Sequence, residues 1–197
     1  LWMSLFIVVP MLLIVLYAFT EHGNSLMAFR FTLDNFMRFF DPVFIKVLFK
    51  SLEVAIITTV LCITIGYPIA YIISNTSEKA QTLLILLITL PMWINMLVRT
   101  YAWISILSDG GILNSILQFF GFEPIKMMYT DFAVMLGMVY NFLPFMIISI
   151  YTVLAKLDRA LIHASHDLGA NPIQTFLRIV LPLSMPGVIS GITLVFL

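Results

Sequence analysis

Charge is what this chain has least of: only 10% of its 197 residues are charged, against 61% hydrophobic, and mean hydropathy is +1.08. Soluble domains carry about 25% charged residues, so this composition cannot cover a water-facing surface. Net charge is missing too, with ten basic residues balancing ten acidic ones. That excludes a global field selecting nucleic acid or an acidic partner. The single cysteine, Cys62, lies inside an apolar run. It reads as a packing residue rather than a redox group, and says nothing about compartment. Period-2 alternation, which a membrane barrel needs, is absent. So are glycine-rich phosphate loops and any Ser or Cys nucleophile with a recognisable partner. His163 and His166 share a polar segment with Asp167, but no further ligands for a metal are visible. Neither enzymatic chemistry nor a metal or cofactor bound by this chain is expected.

What the sequence has instead is long apolar runs: Leu1 to Ala18, Val54 to Ile73, Ala80 to Val98, Phe132 to Leu154 and Ile179 to Leu197. Each approaches the roughly 20 residues that cross a bilayer core as a helix. The reading is an all-α, polytopic membrane protein with about five spans, forming one transmembrane domain over residues 1–197. The chain opens on Leu1 already inside an apolar run, without a charged leader, and that run is long for a signal-peptide core. The last run reaches Leu197 without a charged or aromatic stop. A fragment lacking material at both ends is therefore expected.

Four loops separate the runs. The first, about Thr20 to Leu52, holds "FRFTLDNFMRFFDPVFIKVLFKS" and reads as a partly amphipathic interfacial segment. The second, "SNTSEKAQ" from Ser74, reads as a tight polar hairpin; the third, from Ser108, as a turn followed by a short amphipathic helix. Basic residues near helix ends should orient the chain. Loops one and three carry Arg30, Arg38, Lys46, Lys50 and Lys126; loops two and four carry Lys79, Lys156, Arg159 and Arg178. Five against four is a tie, and charge alone leaves the orientation open.

The fourth loop is a polar island, "LIHASHDLGANPIQTFLRIVLPLSMPG", Leu161 to Gly187. Asp158 suits the N-cap of a helix beginning at Arg159, and Gly169 suits its C′ position. Leu157, Ala160, Leu161, Ala164 and Leu168 fall on one stripe at spacings of three and four. Asn171, Pro172 and Gln174 make a capping-box start for a second helix that runs through Phe176 and Arg178 into the membrane. Pro182 and Pro186 are expected to limit or kink it. The physics leaves two readings open: an interfacial helix linking two spans, or an element that docks on another surface.

The order His163-Ala164-Ser165, three residues, Gly169, nine residues, Ile179-Val180-Leu181-Pro182 resembles the EAA loop of ABC importer permeases, E-A-A, x3, G, x9, I-x-L-P. Ala164, Gly169, Ile179, Leu181 and Pro182 match; His163 stands where the family has Glu, and Ser165 where it has the second Ala. The stretches "FTLDNFMRFFDP", "GYPIAYIIS", "LPMWINMLVRTYAWISILSDGGILN" and "LPFMIISIYTVLAKLDRALIHASHDLGA" extend the resemblance to permeases of the spermidine/putrescine type across nearly the whole chain. The resemblance implies the type I ABC importer permease fold with six spans, the sixth missing here, in the bacterial inner membrane. It implies that loops two and four are cytoplasmic and loops one and three external. It further implies that residues 156–182 form the cytoplasmic coupling loop, which sits in a cleft of an ATP-binding subunit present in two copies. His163, Ala164, Ser165, Asp167, Gly169, Ile179, Leu181 and Pro182 are its candidate residues. ATP and magnesium would then be bound on that subunit. A second permease subunit and an external polyamine-binding protein complete the implied assembly. His163 puts any ion pair made by the family's Glu in question. The spacing leaves open related importers of sulfate, thiamine or ferric ion.

Polyamine recognition calls for carboxylates and aromatic faces. Glu53 and Asp109 fall near the implied outer face, and Trp93, Tyr101, Trp103 and Tyr140 lie on the runs. Interfacial enrichment of Trp and Tyr, and the ordinary turn role of Asp in "SDGG", explain the same residues without function. Arg99 sits within otherwise apolar sequence; snorkelling, an inter-helix ion pair, or a structural or gating role are its readings. Asn95 and Asn141, near Pro91 and Pro144, are placed to hydrogen-bond freed backbone groups or a neighbouring helix. A secondary transporter is the reading from another class, but no mid-span carboxylate accompanies Arg99 as ion coupling would require.

Overall fold

The computed structural model describes residues 2, 4–20 and 32–197. The chain divides into two compact units, Leu1–Glu53 and Val54–Leu197. The all-α membrane architecture is the expected one; its division into spans differs at several places.

In the first unit a π turn, Ser4–Val8, leads into α1 (Val9–Ala18). The apolar stretch Leu5–Ala18 rises only about 20 Å, short of the roughly 30 Å hydrocarbon core. A short helix, α2 (Asp34–Arg38), is tied to the end of α1 by Asn35, whose amide donates to the carbonyls of Ala18 (3.1 Å) and Thr20 (2.9 Å). Residues 21–31 of the expected first loop, Arg30 among them, lie outside the described residues. The rest of that loop is smaller than expected, because α3 (Pro42–Ser74) already begins at Pro42. Helix continuity follows hydrogen bonding, not hydropathy. At about 50 Å, α3 outreaches the bilayer core, so Lys46, Lys50 and Glu53 are accommodated in helix before the apolar stretch starts.

In the second unit α4 (Glu78–Trp93), α5 (Met96–Leu107), α6 (Ile112–Phe119), α7 (Asp131–Leu154), α8 (Arg159–Asp167), α9 (Pro172–Thr175), a π turn (Phe176–Val180) and α10 (Leu181–Phe196) follow in order. Among the described residues, three helices are long and apolar enough to span: Pro42–Ser74, Asp131–Leu154 and Pro172–Phe196. The expected span Ala80 to Val98 is instead broken after Trp93, and the two arms meet at 92°. Pro182 and Pro186 do not end the final helix. The π turn immediately before Pro182 widens the backbone where the ring would otherwise meet the carbonyl of Arg178, and the helix continues to Phe196.

The core lies between α3, α7 and α10. Cys62, Tyr67, Ala70 and Ile73 meet Met146, Ile147, Ile150 and Leu154, with Val180, Val188 and Val195 closing the third side. Cys62 is fully buried, as its position in the apolar run implied. Helices α7 and α10 approach closely, backbone to backbone, at Gly187. A Cβ there would stand 2.8 Å from the Ser149 carbonyl oxygen and 3.1 Å from the Ile150 Cα. With Gly191 it forms a G-x-x-x-G stripe, "GVISG", the device by which apolar helices approach closely in lipid. Tyr67 and Ser184, hydroxyl to hydroxyl at 2.7 Å, join α3 to α10 inside this core.

Loops two and four lie at the same end of the unit. Gln81 donates to the carbonyls of Ser74 (3.1 Å) and Thr76 (3.0 Å), closing the polar hairpin. Its Oε1 accepts from the Tyr151 hydroxyl at 3.0 Å, bringing the last turns of α7 to the hairpin. A cavity of about 420 Å³ opens between the hairpin and the start of α8, bordered by Glu78 and Arg159.

Candidate functional site: a coupling loop and a broken span

The polar island folds by local rules. The Asp158 carboxylate accepts from the Ala160 N–H at 2.9 Å, capping α8. At the other end the chain reverses at Gly169, whose φ of +79° is left-handed and strained for any residue with a Cβ. The Ala170 N–H donates to the Ser165 carbonyl (3.0 Å) and the Gly169 N–H to that of His166 (2.9 Å), the paired bonds of a Schellman turn. His166 adds a contact of Nδ1 to the Ala170 carbonyl at 3.2 Å. Asn171 and Gln174 then bond each other's backbone reciprocally, at 2.8 and 3.1 Å, and α9 begins with Pro172.

The candidate residues divide between two faces. Ala160, Leu161, His163, Ala164, Asp167 and Leu168 are exposed, Leu168 to 89%. Leu157 is half-buried, and Ile162 and Ser165 turn inward. An exposed leucine and alanine strip on a short helix held by caps at both ends is a surface available to a partner. Ser165 is not on that strip: it is buried, hydrogen-bonded to the Ile162 carbonyl (2.7 Å) and to Thr175 Oγ1 (2.8 Å). Ile179 and Leu181 are half-buried and Pro182 exposed on the helix leading to the core.

The second constellation surrounds the break in the α4–α5 span. Ile94 is extended (φ −75°, ψ 136°), so α4 ends there and its last carbonyls lose their intrahelical donors. Asn95 starts α5 by accepting from the Leu97 N–H at 2.8 Å. Arg99, one turn into α5, reaches back: Nη2 donates to the carbonyls of Pro91 (2.7 Å) and Ile94 (3.0 Å). Nη1 donates to Asn141 Oδ1 on α7. The guanidinium lies 5.9 Å from the centre of the Tyr140 ring, and Tyr140 packs edge-on to Trp103 with centroids 5.2 Å apart. Among the described residues no carboxylate pairs with Arg99, so the ion-pair reading is replaced by a clamp on backbone carbonyls. Irregular backbone at membrane depth is tolerated only where protein satisfies it, and here a cation from the next helix does so.

A family model described as "Binding-protein-dependent transport system inner membrane component" matches residues 63–197. The chain belongs to this family of inner-membrane permeases. It is 42% identical over its whole length to the spermidine/putrescine transport system permease protein PotB of Escherichia coli K12, spanning 72% of that protein. The same identity holds for PotB of Salmonella typhimurium SL1344, of which it spans 69%. The crystal structure of a bacterial alginate ABC transporter, in complex with alginate pentasaccharide-bound periplasmic protein, contains a chain of the same fold. That match has a TM-score of 0.75 at 18% identity, over 95% of this chain and 64% of the other.

In this permease the other pathway candidates are dispersed. Glu53 belongs to the first unit, exposed and paired with Lys50 at 3.4 Å. Trp93 and Tyr101 flank the break with their rings exposed, 84% and 67%. Trp103 and Tyr140 face each other, and the Asp109 carbonyl accepts from Asn114 at 3.2 Å. Asn114 was not a candidate, yet it organises loop three. It is almost fully buried, donates to Ser108, Asp109 and Ile125 carbonyls and accepts from the Ile125 N–H. Its position on the α6 face gave no sign of this. Thr175 and Gln81 were also missed, because nothing local distinguishes a hydroxyl or amide that bonds across a turn. The "GVISG" spacing was a usable signal for the α7–α10 contact.

Proposed function

We propose that this permease forms part of the membrane passage of an ATP-driven importer for spermidine and putrescine. In that assembly it works with a second, PotC-like permease, an external, PotD-like binding protein, and two copies of an ATP-binding subunit that hold ATP and magnesium. The observation that carries the substrate class is 42% identity across the entire chain to spermidine/putrescine permeases. The chain performs no chemistry on its cargo; its task is to open a passage on one side at a time.

The geometry supports a division of labour. The exposed strip of α8, Leu161, Ala164 and Leu168 with His163 and Asp167 beside it, is shaped to enter a cleft of the ATP-binding subunit. Closing and opening of that subunit would carry α8 with it. Because α9 and α10 form one helix with the π turn between them, displacement of α8 reaches the core at Val180, Val188 and Val195. With loops two and four facing the cytoplasm, the α4–α5 break lies toward the outer half. Trp93 and Tyr101 offer open aromatic faces there for a substrate ammonium. Tyr140 does not, since Arg99 already lies against its ring.

Uptake of labelled spermidine by cells relying on this transporter tests the substrate. Entry that unlabelled putrescine competes away, and sulfate, thiamine and ferric ion do not, is the expected result. If spermidine neither enters nor competes, the polyamine assignment falls. Uptake that survives removal of the ATP-binding subunit and collapses with the ion gradient would instead indicate a secondary transporter.

A further inference from the structure

Ser165 stands where the EAA pattern has alanine, and the structure gives that departure a physical meaning. Its hydroxyl proton goes to the Ile162 carbonyl at 2.7 Å. The Thr175 hydroxyl therefore donates into Ser165 Oγ, at 2.8 Å, across the Gly169 turn. Both side chains are buried, 6% and 4% exposed, in the angle between α8 and α9. Gly169 itself has nothing within 4 Å of where a Cβ would be. The turn is thus held by its backbone bonds and by this pair, not by packing around the glycine.

We propose that the Ser165–Thr175 hydroxyl pair is a latch that fixes the angle between the coupling helix and the final span, making both residues positioning residues for force transmission. The proposal rests on the coupling reading given above and refines it: Ser165 acts from inside the loop, away from the partner's surface. Thr175 is followed without interruption by the helix to Phe196. The next residue, Phe176, is wedged edge-on against Tyr67 and Tyr71 of α3 at 5.7 and 5.6 Å. Whatever is fastened to Thr175 is therefore fastened to the membrane core. A glycine turn alone would let α8 swing and dissipate its displacement; a buried hydrogen bond spanning the turn converts the swing into rigid motion.

The latch can be separated from simple packing. Ser165→Ala leaves the buried Thr175 hydroxyl unsatisfied, whereas replacing both by apolar groups of similar shape is nearly neutral for stability. The assembled transporter in proteoliposomes would be compared as wild type, Ser165→Ala, Thr175→Val, Thr175→Ser and the Ser165→Ala/Thr175→Val double variant. The readouts are uptake per ATP hydrolysed and thermal unfolding. All variants lacking the bond should lose roughly threefold or more in uptake per ATP, the scale of one buried hydrogen bond. Thr175→Ser should keep it, and the double variant should regain thermal stability while remaining uncoupled. The latch is overturned if the double variant recovers uptake per ATP together with stability, or if Thr175→Ser behaves as Thr175→Val. Leu161→Asp, on the exposed strip, distinguishes the parent reading. If that variant still binds the ATP-binding subunit and transports normally, the docking assignment fails. If it blocks binding while the double variant is silent, only the latch fails.

Discussion

Two helix breaks, at Ile94–Asn95 and at Gly169, solve the same problem in opposite ways. Both leave carbonyls and amides without helical partners. At Gly169 every repair comes from within a few residues: a Schellman pair on one side and an asparagine–glutamine capping box on the other. At Ile94 the repair comes from a guanidinium on the next helix, itself anchored to Asn141, 42 residues further along the chain. Local repair makes a loop that is stable in its own shape and can be presented to a partner. Long-range repair makes a joint whose two arms and a third helix, α7, are locked together.

Several experiments would sharpen or break this contrast, the largest effect first. Arg99→Met should be the most damaging, because it orphans the Ile94 carbonyl and the Asn141 amide oxygen and leaves the Pro91 carbonyl with the Ile94 N–H alone. A loss of about 3 kcal/mol or more is expected from charged hydrogen bonds of about 1.5–3 kcal/mol each. Unfolding of the purified permease in detergent measures it. Arg99→Lys should recover only part, since a point ammonium cannot span the positions held by the guanidinium fork. A lysine variant of wild-type stability would break the clamp interpretation.

Gly187→Ala comes next. It tests the α7–α10 contact, and with backbone atoms at 2.8 and 3.1 Å overpacking should cost about 1–3 kcal/mol. If its unfolding matches wild type, the close approach at that point is wrong. Gly169→Ala should cost about 1–2 kcal/mol through its left-handed backbone alone, because nothing crowds the site. Its effect should appear in transport more than in global unfolding. The smallest effect is expected for Asn171→Ala, about 1 kcal/mol for a lost cap. Combining Asn171→Ala with Arg99→Met should give additive losses in unfolding, since the two breaks share no partners. Strong non-additivity would mean the breaks are one coupled element and the contrast between them false.

The local fold of the polar island was legible almost residue by residue. Asp158, Gly169, Asn171, Pro172 and Gln174 each act within one turn of their own position, so the pattern of residue types carries the geometry. The broken span was half legible. Pro91 signalled a disturbance and Asn95 a hydrogen-bonding role, but the break itself is an N-cap following a proline, and an apolar run conceals it. Ser165 shows the other limit. The motif placed it among the residues of a loop implied to meet a partner, while its buried bond to Thr175 depends on which way the turn folds α8 over α9.

The amino-acid sequence on its own determined that this is a helical membrane protein, where its polar loop would cap and reverse, and the family whose spacing that loop follows. Those features depend on composition and on contacts between near neighbours, which the order of residues specifies directly. Tertiary structure alone decided that Arg99 closes a broken span, that Gly187 lies against α7, and that Ser165 faces inward. Each of these depends on where a distant helix comes to rest, and that is set by packing of the whole core.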